Sequence, residues 1–369
     1  MRSGKENVNY LKAGGMMLAT TMGAGIFALP ALLPQAGWLL VLIYALVLAS
    51  LIAITHDIYL RIRVHKLNQG LLGLISHAWG KMAFYPSFLV VIGGLLLTLL
   101  IYMILGGSFL QIIFPGLSAM QAVLLTWFLG VAPFVFGSRR ILSIELAGAL
   151  VMGFLVMFVL WDAPQLELVK ALPIVKWQGL FLPFGVLLFS LAGWTAVEPV
   201  EDDLGLSKKL PQLGGAMMAG TFLAVLLYAL FALGVIGSGG GYGEESFVGV
   251  SWSYGQQLVF SFLGLVLVLT SFWPIAMEVR RSFLDTRFSK FSSNLLTFAT
   301  PLVLYFAGWH SFLSVMEVTG GVFLSVQYFI IVMLGLKLLK LTNLERWGLR
   351  LLSVVFLLGM VAAVSSWLI

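Results

Sequence analysis

Met22-Gly23-Ala24-Gly25-Ile26-Phe27-Ala28-Leu29-Pro30 interrupts an otherwise apolar run from Tyr10 to Leu33. Inside a helix each Gly costs about 1 kcal/mol against Ala, and a Pro about 3 kcal/mol. In hydrocarbon every released backbone N–H or C=O costs more still, so such a break persists only where it lines a cavity. The released groups then carry chemistry. N–H groups opening a half-helix hold an anion, and carbonyls ending one hold a cation. A second break of this kind runs from Phe181-Leu182-Pro183 through Phe189-Ser190-Leu191-Ala192-Gly193-Trp194 to Thr195-Ala196-Val197-Glu198-Pro199. Interrupted helices at matching positions in two halves of a chain are the best sequence pointer to a transport site at the bilayer midplane.

Other chemistries find little support. There is no Cys for a disulfide, thiolate ligand or nucleophile, and His56, His65, His77 and His310 form no paired metal spacing. Gly239-Gly240-Gly241-Tyr242-Gly243 lacks the flanking strand and helix of a nucleotide loop. The apolar runs carry no convergent His/Asp/Glu set suited to catalysis, so no enzyme is expected.

The elements that must position the breaks are membrane helices. Hydrophobic residues make up 60% of the 369 and charged residues 10%, and the mean hydropathy is +1.04. Soluble domains hold roughly 45–50% and 25%. Runs long enough to cross a bilayer give eleven spans, near 10–33, 38–60, 82–113, 119–137, 141–161, 178–201, 211–236, 254–279, 294–308, 313–336 and 349–368. The first run is too long for a signal-peptide core and lacks a small-residue cleavage site, so it is expected to remain. Placing the N-terminus in the cytoplasm and the C-terminus outside puts 19 of the 21 Lys and Arg in inner segments, with only Lys170 and Lys176 outside. That asymmetry is the positive-inside pattern of a multi-pass protein of the cell membrane. It accounts for the net charge of +6 through the lipid bilayer, with no nucleic-acid partner.

Gly23-Ala24-Gly25-Ile26-Phe27-Ala28-Leu29-Pro30 resembles the first-span motif of amino acid permeases in the amino acid–polyamine–organocation superfamily. The likeness is nearest to the amino acid/auxin permeases and the hydroxy and aromatic amino acid permeases. Phe184-Gly185-Val186-Leu187-Leu188-Phe189-Ser190, followed by Glu201-Asp202-Asp203, is similar to their sixth span. Thr270-Ser271-Phe272 is similar to the Thr-Ser-Phe of the aromatic branch. The resemblance implies an all-α polytopic protein with the leucine-transporter fold, and a single membrane domain over 1–369. It has a five-plus-five inverted repeat (about 10–161 and 178–336) whose helices one and six are broken, and an eleventh C-terminal helix at about 349–368. It further implies an ion-coupled symporter that imports a neutral or aromatic amino acid by alternating access, with no organic cofactor. A channel is the alternative from another class.

An amino acid leaves water with a carboxylate and an ammonium, and both need partners. The N–H groups of Gly23, Ala24, Gly25 and Ile26 suit the carboxylate, and the carbonyls of Phe189, Ser190 and Leu191 suit the ammonium. The two glycines and Gly193 allow close approach, Thr21 and Ser190 add hydroxyls, and Phe189 and Trp194 wall the side-chain pocket. The family fold's sodium position falls on the carbonyls of Ala19 and Met22, which the hydroxyls of Thr270 and Ser271 can complete. Proton-driven relatives often place a Lys in span five. Here Ile141 to Trp161 has none, which favours sodium over a proton as coupling ion. Glu198 is the proton carrier in the alternative, and Glu317 lines the outer vestibule or reaches water. Asp57 is expected to pair with Arg61 and Glu145 with Arg139 or Arg140. Glu201, Asp202 and Asp203 end a helix where its dipole disfavours acids, so they need partners such as Arg2, Lys5 or Lys12.

Overall fold

The structure, a computed structural model, describes the backbone of residues 2–65, 69–136, 141–161, 165–204, 210–241, 243–245, 247 and 249–368. Side chains are described over the same segments except 2–9, 65, 135–136, 141–147, 166, 202–204, 210–211 and 366–368. No strand forms among the described residues. Helices stand where the hydropathy places eleven spans. Span one is Arg2–Thr21, a tight 3₁₀ turn Ala24–Ala28 and Leu29–Ala36, its apolar parts bent by 49°. Spans two to five are Trp38–His65, Lys81–Ile113, Ala119–Phe136 and Ile141–Trp161. Span six is Leu182–Leu191, the 3₁₀ turn Trp194–Ala196 and Val197–Leu204. Spans seven to nine are Leu210–Gly237, Tyr254–Asp285 and Lys290–Phe306, span ten runs from Phe312 to Leu338, and span eleven is Asn343–Leu368.

Local sequence explains several of these boundaries. Ser253 accepts from the Gln256 N–H and Gln256 answers the Ser253 N–H, a reciprocal cap that starts span eight. Ser289 and Ser311 cap spans nine and ten in the same serine-to-N3 fashion. Gly37, at φ +94°, turns span one into span two. A Cβ there would lie 2.6 Å from the Ile174 carbonyl, so both the backbone angle and the packing require glycine.

Two elements depart from the sequence reading. Leu71–Trp79 is a helix in what reads as a polar connection, because Leu71, Leu74 and Ile75 bury one face against the neighbouring spans. Span ten, which reads as continuous, contains a π-helical turn at Thr319–Leu324. It carries Gly320 onto the Gly185 carbonyl of span six, a contact with no room for a Cβ on Gly320. Extra-residue turns of this kind are frequent beside functional sites.

Candidate substrate site between two interrupted helices

The break in span one begins where Gly23 leaves the helical ladder. Its N–H donates to the Thr21 carbonyl at 3.0 Å, not to Ala19 four residues back. Beyond it the N–H groups of Ala24, Gly25 and Ile26 open a new helix. Among the described residues they donate to no backbone carbonyl outside it. In span six the ladder ends at Leu191, Ala192 is extended (ψ 126°), and Gly193 starts the next turn. The two breaks touch. A Cβ added to Gly25 would fall 2.5 Å from the Ser190 Cα.

Neighbouring spans fasten this junction with hydroxyls. Tyr228 of span seven lies 2.6 Å from the Thr21 carbonyl and 2.8 Å from the Ser190 carbonyl, one O–H proton serving both breaks. Tyr328 of span ten accepts from the Gly193 N–H at 3.2 Å and pairs with His56 Nε2 at 3.0 Å. The His56 Nδ1 is buried without a hydrogen-bond partner among the described residues. Trp194 donates its indole N–H to Gln327 Oε1 at 2.8 Å.

A cavity of about 50 Å³ lies between the breaks. Of the residues expected there it gathers Thr21, Gly23, Gly25, Phe189, Ser190, Gly193 and Trp194. Ala24, Ile26 and Leu191 are fully buried and lie outside its lining. Residues that the sequence reading missed complete it: Leu95, Thr98 and Tyr102 of span three, with Thr20, Ala192, Thr195, Ile275 and Leu324. Polar groups in mid-span, as at Thr98 and Tyr102, were the available signal.

The cavity shares a wall with a larger vestibule. Thr20, Thr195 and Ile275 also line a vestibule of about 320 Å³ that runs to the Arg-rich end of the bundle, where Glu278, Arg280 and Arg281 face it. Towards the other end Phe27 packs 5.0 Å from Phe109, 5.6 Å from Phe231 and 5.9 Å from Phe260, centroid to centroid. These rings come from spans one, three, seven and eight and are all fully buried. The connection between spans seven and eight covers them. Its Phe247 lies 5.2 Å from Phe109, Ser108 donates to Glu245, and Ser311 and the Leu313 N–H donate to Glu244.

The charged residues are arranged differently from expectation. Glu201 does not turn to Lys12. It takes Arg63 of span two, with Nε 2.9 Å and Nη2 2.8 Å from the same carboxylate oxygen. Arg63 is 1% exposed and also reaches Glu198 at 3.3 Å. Glu198 accepts from the Tyr59 hydroxyl at 2.7 Å, and Arg281 of span eight approaches at 3.6 Å. Glu198 is thus embedded in an ion-pair cluster that neither hydropathy nor short-range spacing revealed, because Arg63 and Glu198 are 135 positions apart. Asp57 and Arg61 pair at 2.8 Å, as their spacing predicts. Side chains of Glu145, Asp202, Asp203, Arg2 and Lys5, and the whole of Arg139 and Arg140, lie outside the described residues.

Of the expected sodium ligands, Thr270 is buried, packs beside Gly148 of span five and donates to the Leu267 carbonyl at 2.9 Å, while Ser271 is half-buried. Met22 and Ala19 are buried at the end of the first half of span one. Glu317 is half-buried, its carbonyl against Gly185.

No sequence-family description and no curated protein matches the chain. Solved structures do. MhsT in complex with L-phenylalanine superposes with a TM-score of 0.71 at 16% identity, over 98% of each chain. The Eremococcus coleocola manganese transporter, in complex with an aromatic bis-isothiourea substituted compound, gives 0.68 at 14% identity, over 97% of this chain and 86% of that one. Two interrupted helices in contact at the centre of an eleven-span helical bundle, in this topology, are the leucine-transporter fold.

Proposed function

We propose that the protein is a secondary active transporter that binds a neutral or aromatic amino acid between the breaks of spans one and six and carries it by alternating access. The observation that carries this reading is the junction itself. Among the described residues the N–H groups of Ala24, Gly25 and Ile26 donate to no backbone carbonyl outside their own turn, and they lie beside the chain end at Phe189 to Leu191, which offers a zwitterion one partner for each charge. MhsT holding phenylalanine in the same fold supports an amino acid. A divalent metal, the cargo named for the other relative, is disfavoured by the donor set. Among the described residues no group of three His, Cys, Asp or Glu is placed to hold a metal ion.

In this reading the halves 10–161 and 178–336 move against each other and span eleven is an addition. The Arg-rich end is cytoplasmic, so the vestibule makes this the inward-facing state, with the Phe27 ring cluster as the closed outer side. Sodium drives uptake, held by the carbonyls of Ala19 and Met22 and the hydroxyls of Thr270 and Ser271. The Thr270 oxygen keeps its lone pairs for an ion while its proton goes to Leu267. A second reading, proton coupling, rests on Glu198, a buried carboxylate beside the break whose Oε2 makes no hydrogen bond among the described residues but lies 3.3 Å from Arg63 and 3.6 Å from Arg281.

Proteoliposome uptake of a panel of amino acids, under separate sodium and proton gradients, tests the reading. Saturable accumulation of a neutral or aromatic amino acid under one gradient is expected. Flux that never saturates would replace the transporter with a channel. Orientation is tested with Gly240→Cys in this Cys-free chain. Labelling from outside is expected, and labelling from the cytoplasmic side alone would reverse the assignment.

A further inference from the structure

A groove of about 580 Å³ runs between spans two, seven and eleven, well away from the two breaks. On span two it extends from Leu51 to Arg61, and on span eleven from Glu345 to Val355. Each stretch is eleven residues, whose ten steps span about 15 Å of helix. That is the depth of one leaflet of a hydrocarbon core about 30 Å thick. The walls are apolar, and Ile54, Met218 and Leu351 leave large exposed surfaces towards the bilayer. Among the described residues the charged side chains of the lining, Asp57, Arg61 and Glu345, stand towards one end. Arg61 Nη2 lies 2.8 Å from Asp57 Oδ2, and Nη1 lies 3.5 Å from Glu345 Oε1.

We infer that this groove binds one phosphatidylethanolamine molecule from the leaflet at the Arg-rich end. Its apolar floor, one leaflet deep, takes an acyl chain, and the charged mouth takes the headgroup. The two carboxylates beside the guanidinium offer acceptors to a headgroup cation. A primary ammonium brings three N–H donors to Asp57 and Glu345, whereas a quaternary ammonium brings none. The phosphate faces Arg61, whose side chain is 46% exposed. Two glycines keep the floor open. A Cβ on Gly215 or on Gly348 meets nothing within 4 Å, although helices favour Ala at both places.

The test is native mass spectrometry of the purified protein, offered dipalmitoyl lipids with ethanolamine, choline or glycerol headgroups. One ethanolamine lipid per chain should be retained, roughly tenfold over the other two, as one charge-assisted hydrogen bond allows. Gly215→Trp and, independently, Gly348→Trp should lose it while keeping the wild-type melting temperature in lipid-free detergent, since both fill open space. Asp57→Asn with Glu345→Gln should keep a lipid but lose the headgroup preference. Equal retention of all three lipids by the wild type would overturn the inference. So would undiminished retention by a well-folded tryptophan variant, or a dimer whose formation expels the lipid.

Discussion

The Arg63 guanidinium meets the Glu201 carboxylate through Nε at 2.9 Å and Nη2 at 2.8 Å, with 1% of the arginine side chain exposed. The pair ties the Arg-rich end of span two to the second half of span six, next to the break. Removing one member of a buried pair leaves an uncompensated charge, at a cost of about 3–5 kcal/mol. Arg63→Met should therefore melt well below wild type in detergent. Arg63→Met combined with Glu198→Gln and Glu201→Gln should recover most of the loss. Thermal melts of the two variants decide it.

Tyr228→Phe removes the hydroxyl shared by the Thr21 and Ser190 carbonyls. Both carbonyls lose the shared proton, at a cost of about 1–3 kcal/mol. Uptake should fall while the protein remains monodisperse, because the hydroxyl joins two breaks without holding either helix together. Paired uptake and size-exclusion measurements check this.

Gly25→Ala is expected to be as damaging as Gly25→Val. The sequence alone suggests that glycine keeps space for a substrate, but in the structure that space belongs to Ser190, whose Oγ, Cα and Cβ all crowd the new Cβ. Forced separation of this kind costs about 1–3 kcal/mol. Because the Ser190 Cα is itself among the crowding atoms, Gly25→Ala should melt below wild type and lose uptake, and wild-type values for both would count against the contact.

Thr270→Val with Ser271→Ala preserves volume and removes two proposed sodium ligands. Sodium stimulation of uptake should disappear, with a smaller loss of substrate binding at saturating sodium. Uptake that ignores sodium and collapses with an uncoupler would move coupling to Glu198. Glu198→Gln should then permit exchange but stop accumulation.

Glu245 sits in the connection that covers the Phe27 ring cluster, outside the spans. Burial raises its carboxyl above the usual 4.5, Glu244 adds to the rise, and the Ser108 hydroxyl opposes it. A raised folded-state value means stability that is full below about 4.5 and is lost as pH climbs through the raised value. Hydrogen exchange of residues 241–253, corrected for its intrinsic pH dependence, should accelerate across that window. Glu245→Gln should flatten the profile.

The hydropathy and punctuation of the chain determined the eleven spans and the two breaks. Membrane spans are long and uniformly apolar, and Gly23, Gly25, Pro30, Gly193 and Pro199 stand out against such a background. Asp57 with Arg61 was equally legible, because helical neighbours four apart must meet. Tertiary structure alone decided what the breaks face. Gly25 against Ser190, Tyr228 across both carbonyls and Arg63 with Glu201 are contacts between helices far apart in sequence. Arg63 lies just past the apolar run 38–60, among basic residues that read as exposed, so nothing in the sequence announces that it turns inward. The π-helical turn at Thr319–Leu324 was likewise hidden. It arises where Gly320 meets Gly185, and neither glycine specifies the other until the spans pack.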